Sequence, residues 1–112
     1  MISFDSIHET LVTFGAASGL QAGQVCKITA NGTVGACSNG DTFCGVAGRI
    51  RKGTVGVQMD GYVELPYTGT KPTLGYGTLA ANGSGGVKAA ESGRTCCIVK
   101  VDASAGVVGL FL

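Results

Sequence analysis

The chain has 112 residues, of which 13% are charged and 45% hydrophobic, with a formal net charge of +1. A chain of this length forms one domain and buries roughly two-thirds of the surface its unfolded form exposes, so it folds without a metal or a disulfide framework. No apolar stretch approaches the roughly 20 residues of a membrane span, and so small a share of charged residues points to a surface covered by a partner or by copies of itself.

The first residues, MISFDSIHET, lack the basic start and unbroken apolar run of a secretory signal, so the expectation is a soluble protein made in a cytosol. Phe4, Ile7, Leu11 and Phe14 stand at helical spacing, yet Thr10–Phe14 has strand composition and runs into a Gly-Ala-Ala-Ser loop. The expectation is an extended arm followed by a strand, with residues 1–18 assigned to the N-terminal arm and 19–112 to a single all-β domain. An apolar arm needs cover, either against its own barrel or across a neighbouring subunit.

From Gly23 onward the pattern is one of short strands and tight turns. Val25–Thr29 and Thr33–Ala36 flank Asn31-Gly32, a strong hairpin signal. Asn39-Gly40-Asp41 turns the chain into a strand over Phe43–Arg51. Thr54–Asp60 alternates strictly, Val55, Val57 and Met59 on one face and Thr54, Gly56, Gln58 and Asp60 on the other, as a half-buried strand does. Asp60-Gly61 leads into Tyr62–Leu65, and Pro66, which has no N–H for a ladder, closes the unit. Residues 67–76, YTGTKPTLGY, form a loop. Strands follow at Thr78–Ala81, near Val87, at Arg94–Val101 and over Gly106–Leu112. Both faces of Arg94–Val101 are apolar, which places it centrally in a sheet or at an interface.

The second half repeats the first. Aligning 34 with 87 gives an offset of 53 that runs without a gap from 34–57 to 87–110, with identities at Val34/Val87, Ala36/Ala89, Gly40/Gly93, Thr42/Thr95, Cys44/Cys97, Val46/Val99, Gly53/Gly106, Val55/Val108 and Gly56/Gly109. The predicted fold is all-β, a small barrel or sandwich of short antiparallel strands built from two pseudo-repeated halves.

Residues that carry chemistry do not converge. His8 is the only histidine, and no oxyanion turn stands beside a cysteine, which argues against a Cys–His nucleophile. The five cysteines, Cys26, Cys37, Cys44, Cys96 and Cys97, form no CxxC pair and are expected as free thiols packed as small hydrophobes. No metal site is expected, because adjacent Cys96 and Cys97 point to opposite faces of a strand. The seven carboxylates are scattered singly, and neither a phosphate-binding glycine loop nor the tip lysine of a biotin or lipoyl carrier turn is present, so the expectation is no enzyme and no cofactor. Arg49, Arg51 and Lys52 form the one basic cluster. Without a larger basic surface and stacking aromatics it predicts a solvated strand end or a contact with an acidic protein surface, and no nucleic-acid site.

The order GQVCKI, ANGTVGACSNGDTFCGVAG, KGTVGVQMDGYVELP, GYGTL and SGRTCCIVKVDASAGVVGLFL resembles the small capsid decoration, or cement, proteins of tailed bacteriophages and prophages, over about Gly19 to Leu112. The resemblance implies an all-β domain that binds the outer surface of the assembled head, often as trimers, and stiffens the shell. Its partners would be the major capsid protein and further copies of itself, its place the virion surface, and its site of synthesis a bacterial cytoplasm. The contact residues expected from the apolar arm and the basic cluster are Ile2, Phe4, Ile7, Leu11, Phe14, Arg49, Arg51 and Lys52. Two other readings stay open: a head-fibre or carbohydrate-binding module using Tyr62, Tyr67 and Tyr76, and a tail-tube or connector subunit.

Overall fold

A computed structural model describes residues 10–112, and among them every regular element is a strand. In chain order these are β1 (Thr10–Ala16), β2 (Val25–Ala30), β3 (Thr33–Ala36), β4 (Gly45–Arg51), β5 (Thr54–Asp60), β6 (Tyr62–Pro66), β7 (Gly75–Ala81), β8 (Val87–Ala89), β9 (Arg94–Asp102) and β10 (Val107–Phe111). The all-β prediction holds. The two halves do not share a sheet, however. Strands β1–β5 close into a barrel in the order β1-β3-β2-β4-β5, and β6–β10 form a second sheet in the order β6-β10-β9-β7-β8.

The two orders are the same order. Read from the short strand that follows the hairpin, the first is β3-β2-β4-β5-β1 and the second β8-β7-β9-β10-β6, and every corresponding pair within them is antiparallel. Even the closure has a counterpart. β1 meets β3 in parallel at Gly15–Thr33 and Ala16–Val34, and a single parallel bridge joins Tyr67, just past β6, to Val87 of β8.

Register shows where the uniform offset fails. Val57 pairs with Ala47 in the first half and its counterpart Leu110 pairs with Ile98 in the second, so β5 and β10 correspond at 53 while β4 and β9 correspond at 51. The turns are the cause. Lys52 and Gly53 alone separate Arg51 from Thr54, whereas four residues separate the paired Asp102 and Val107. In the longer turn, Asp102 Oδ1 accepts from the N–H groups of Ser104 and Ala105 and from Ser104 Oγ. Gly45, Val46 and Ala47 therefore stand where Cys96, Cys97 and Ile98 stand, with the same buried, half-buried, buried sequence.

Each half encloses a core. The first holds Leu20, Cys26, Val34, Ala47, Val55 and Val57, with Phe14, Ala16, Cys44, Ile50 and Met59 packed against it. The second holds Val63, Leu65, Leu79, Ala81, Val87, Cys96, Ile98, Val108 and Leu110, joined by Val25 and Phe43 from the first half. The strand predicted to start at Phe43 starts at Gly45, and Phe43 fills the second core from the segment before β4. β9 is central in its sheet, as its two apolar faces require, and β6 is an edge strand, where Pro66 can pair with Val107 without leaving a gap in a ladder.

Within the segment assigned to an arm, Thr10–Ala16 is a strand of the closed barrel, paired with β5 along its length and with β3 at its end. The strand composition of Thr10–Phe14 is realised here because β5 offers a partner for the ladder.

Candidate functional site

Of the expected contact residues, Ile2, Phe4 and Ile7 lie outside the described residues. Leu11 is 66% exposed on β1, on the face opposite Phe14, which is half-buried against the first core. Arg49 and Arg51 point outward from β4, flanking half-buried Ile50, and Lys52 begins the turn to β5. Lys52 and Gly53 both take positive φ, 49° and 77°, which suits a two-residue hairpin connection. The tip is tied down by Thr54 Oγ1 donating to Arg51 O at 2.8 Å and by Ala16 N–H donating to Gly53 O at 2.8 Å. The three basic side chains thus share one rigid hairpin end. Leu11 pairs with Gln58, toward the other end of β5, so the structure does not bring Leu11 and the basic cluster together.

Large apolar side chains in solvent mark out the surface more clearly than charge does. Among the described residues these are, besides Leu11, Val12 at 39%, Ile28 at 52%, Leu74 at 64% and Tyr76 at 84% exposure. Leu11, Val12 and Ile28 belong to the first half. Leu74 and Tyr76 belong to the second, at the start of β7 and just before it. Leu74 also lines a cleft of about 400 Å³ with Lys71, Pro72, Thr73 and Val101. Sequence reasoning missed Ile28, because it follows the alternation of a strand whose inward positions are usually covered. It lies at the hairpin end of β2, paired with buried Val34, where the barrel leaves it half open.

The three tyrosines separate. Tyr62 donates to Glu64 Oε2 at 2.7 Å and stands 5.5 Å from the Phe111 ring at a 60° tilt. That hydrogen bond, helped by Lys100, holds the Glu64 carboxyl below its ordinary range. Tyr67 packs against the second core. Tyr76 alone projects its ring into solvent.

The ion pairs among the described residues are Lys27–Asp41 at 2.6 Å and Lys100–Glu64 at 3.5 Å. The Lys27 ammonium, with a backbone bond from Ser38, holds the Asp41 carboxyl low and fixes the turn before β4. Among the described residues no group of three or more His, Cys, Asp or Glu side chains is placed to hold a metal ion. The exposed apolar and cationic side chains are thus spread over both halves, with Leu11 and Val12 on β1, Ile28 on β2, Arg49, Arg51 and Lys52 at the β4–β5 hairpin, and Leu74 and Tyr76 at the approach to β7. No protein-family model matches the sequence, and comparison with curated proteins gives no match.

Proposed function

We propose that this protein is a capsid decoration protein of a tailed bacteriophage or prophage, which binds the outer surface of the assembled head and stabilises the shell. The observation that carries the reading is the set of exposed apolar side chains, Leu11, Val12, Ile28, Leu74 and Tyr76, on a chain with only 13% charged residues. Covering a fully exposed side chain of this kind gains about 1.5–3 kcal/mol and a partly exposed one a proportionate share, so side chains held on a rigid body contribute affinity with little loss of freedom on docking. A contact of roughly 1,200–2,000 Å² is ordinary for such a complex, and many copies on one shell add by multivalency. The partners in this reading are the major capsid protein and further copies of the chain, as trimers. The sequence resemblance points the same way.

Co-sedimentation with undecorated heads from the phage or prophage encoding it tests the reading. Leu11→Ser and Tyr76→Ser, both at exposed positions, should leave folding within about 0.5 kcal/mol. If the side chain is covered on the head, each should weaken attachment roughly ten- to a hundredfold. Absence of wild-type binding to heads would reject the reading. The exposure of Tyr76 beside the Leu74 cleft favours one second reading, a glycan-binding module, in which the ring stacks on a sugar. Glycan-array binding lost in Tyr76→Ser, with no attachment to heads, would select it.

A further inference from the structure

The join between the two halves contains a group of thiols that the docking surface does not use. Cys26, on β2, is fully buried, and Cys44, two residues after Asp41-Thr42 and immediately before β4, is half-buried. Two successive residues face Cys26 across the ladder: Gly45 is its Cα partner, while Cys44 N–H donates to Cys26 O at 2.8 Å. Such a bulge turns neighbouring side chains toward one side, and Cys44 packs against the core that holds Cys26, whose Sγ donates to the carbonyl of adjoining Gly45 at 3.6 Å. Gly45 makes room for this, since a Cβ there would strike Gln58 O and Val57 Cγ1. Chains joined by a backbone hydrogen bond of this kind run about 5 Å apart, within the Cα separation of about 4.4–6.8 Å that a disulfide spans.

Arg94 of β9 reaches over from the second half. Its Nη1 donates to Cys44 O at 2.8 Å and its Nη2 to Met59 O at 3.2 Å, so the guanidinium is clamped beside Cys44. The charged and titratable groups around the pair are Arg94, Cys37 and the Lys27–Asp41 ion pair. They act unequally. The hydrogen bond from Cys26, with Arg94 nearby, brings the Cys44 thiol down to about 7, whereas the same contact and burial push Cys26 up, and burial with the Asp41 charge pushes Cys37 up to about 11.

We propose that Cys44 and Cys26 form a peroxide-reactive thiol pair, with Cys44 the attacking thiol, Cys26 the resolving one and Arg94 a positioning residue supplied by the second half. The Cys44 thiolate attacks hydrogen peroxide, an S–O bond forms, the O–O bond breaks, and the departing hydroxide leaves as water after taking a proton. Cys26 then gives up its proton and attacks the Cys44 sulfur. The S–S bond forms, the S–O bond breaks, and a second water departs. Two thiols are oxidised by two electrons while one peroxide is reduced to two waters. The product staples β2 to the chain entering β4 beneath the seam between halves. This is independent of whether the outer surface binds a capsid.

Stoichiometric hydrogen peroxide, intact mass and proteolysis test it on the full-length reduced protein. The expected result is loss of two hydrogens, a linked pair of peptides carrying Cys26 and Cys44, and a higher melting temperature that dithiothreitol reverses. Cys26→Ser should instead accumulate a Cys44 sulfenic acid that dimedone traps, and circular dichroism checks that this core variant is folded. Iodoacetamide alkylation of native wild-type protein should titrate at Cys44 near neutral pH, and Arg94→Gln should slow that reaction at pH 7 several-fold, with Arg94→Lys restoring part of the rate. A bridge from Cys37, oxidation without a bridge, or Cys44 alkylation following the ordinary thiol range of about 8–9 would overturn the proposal.

Discussion

Arg94 Nη1 donates to the carbonyl oxygen of Cys44 at 2.8 Å, linking β9 of the second half to the chain that enters β4 of the first. Its Nη2 holds Met59 O in β5 at 3.2 Å, and its Nε has no acceptor among the described residues. A side chain that ties two strands of one half from the other half acts as a clasp across the seam.

Arg94→Met should therefore lower stability by roughly 2–4 kcal/mol, since two charge-assisted bonds are lost and two carbonyls lose their donors. Urea denaturation followed by circular dichroism measures this. A loss under about 0.5 kcal/mol would show that the guanidinium is not structurally engaged.

Gly45 and Gly56 lie on adjacent strands and should respond oppositely to alanine. A Cβ at Gly45 would meet Gln58 O and Val57 Cγ1, so Gly45→Ala should cost roughly 1–3 kcal/mol. Nothing lies within 4 Å of a Cβ at Gly56, so Gly56→Ala should be neutral or more stable by up to about 1 kcal/mol. Equal effects on the two melting curves would contradict the packing described.

Asp41 sets a pH dependence whose sign is fixed. The Lys27 ammonium, then the Ser38 N–H, hold its carboxyl below the ordinary 3.8, so the unfolded chain takes up that proton first as pH falls. The contribution is fully present above that ordinary value and is lost as pH drops through the lower folded-state one. Stability in denaturant should fall on acidification below about pH 4, and Asp41→Asn should flatten that part of the profile. An unchanged acid limb would remove Asp41 from the account.

Truncation separates the arm from the barrel. Every pair of β1 among the described residues lies at Thr10 or beyond, so deleting residues 1–9 leaves those pairs in place and should spare the fold, and in the proposed function it should weaken attachment to heads. Deleting 1–16 removes the strand between β5 and β3 and the packing of Phe14 and Ala16, and should abolish cooperative melting. A folded 1–16 deletion would show that the first barrel does not need its closing strand.

Much of the fold was legible because strand alternation and hairpin turns are local signals. Thr54–Asp60 and Thr33–Ala36 occupy the expected residues, and the repeat in the sequence is a repeat in topology. What escaped was set by distant partners. Aligning Cys44 with Cys97 was misleading, since the two residues added in the turn after Asp102 shift β9 against β4, and only cross-strand pairing reveals the shift. The strand composition of Thr10–Phe14 was legible, and packing against its own barrel was one of two readings, but the choice between them depends on β5, which is distant in the chain. The backbone bond from Cys44 N–H to Cys26 O depends on cross-strand placement that no spacing encodes. The exposed positions of Ile28 and Leu74 depend on where each sheet happens to end.

The placement of Val25 and Phe43, both 1% exposed in the core of the second half, bears on how the chain folds. A barrel and a sheet in tandem, each with its own ladder, would ordinarily melt as two units and permit one to survive the other. Here the second core is complete only when β2 and the approach to β4 are in place, so the second sheet cannot reach its native packing density alone. The duplicated architecture thereby becomes a single cooperative unit, with one calorimetric transition whose van't Hoff and calorimetric enthalpies agree.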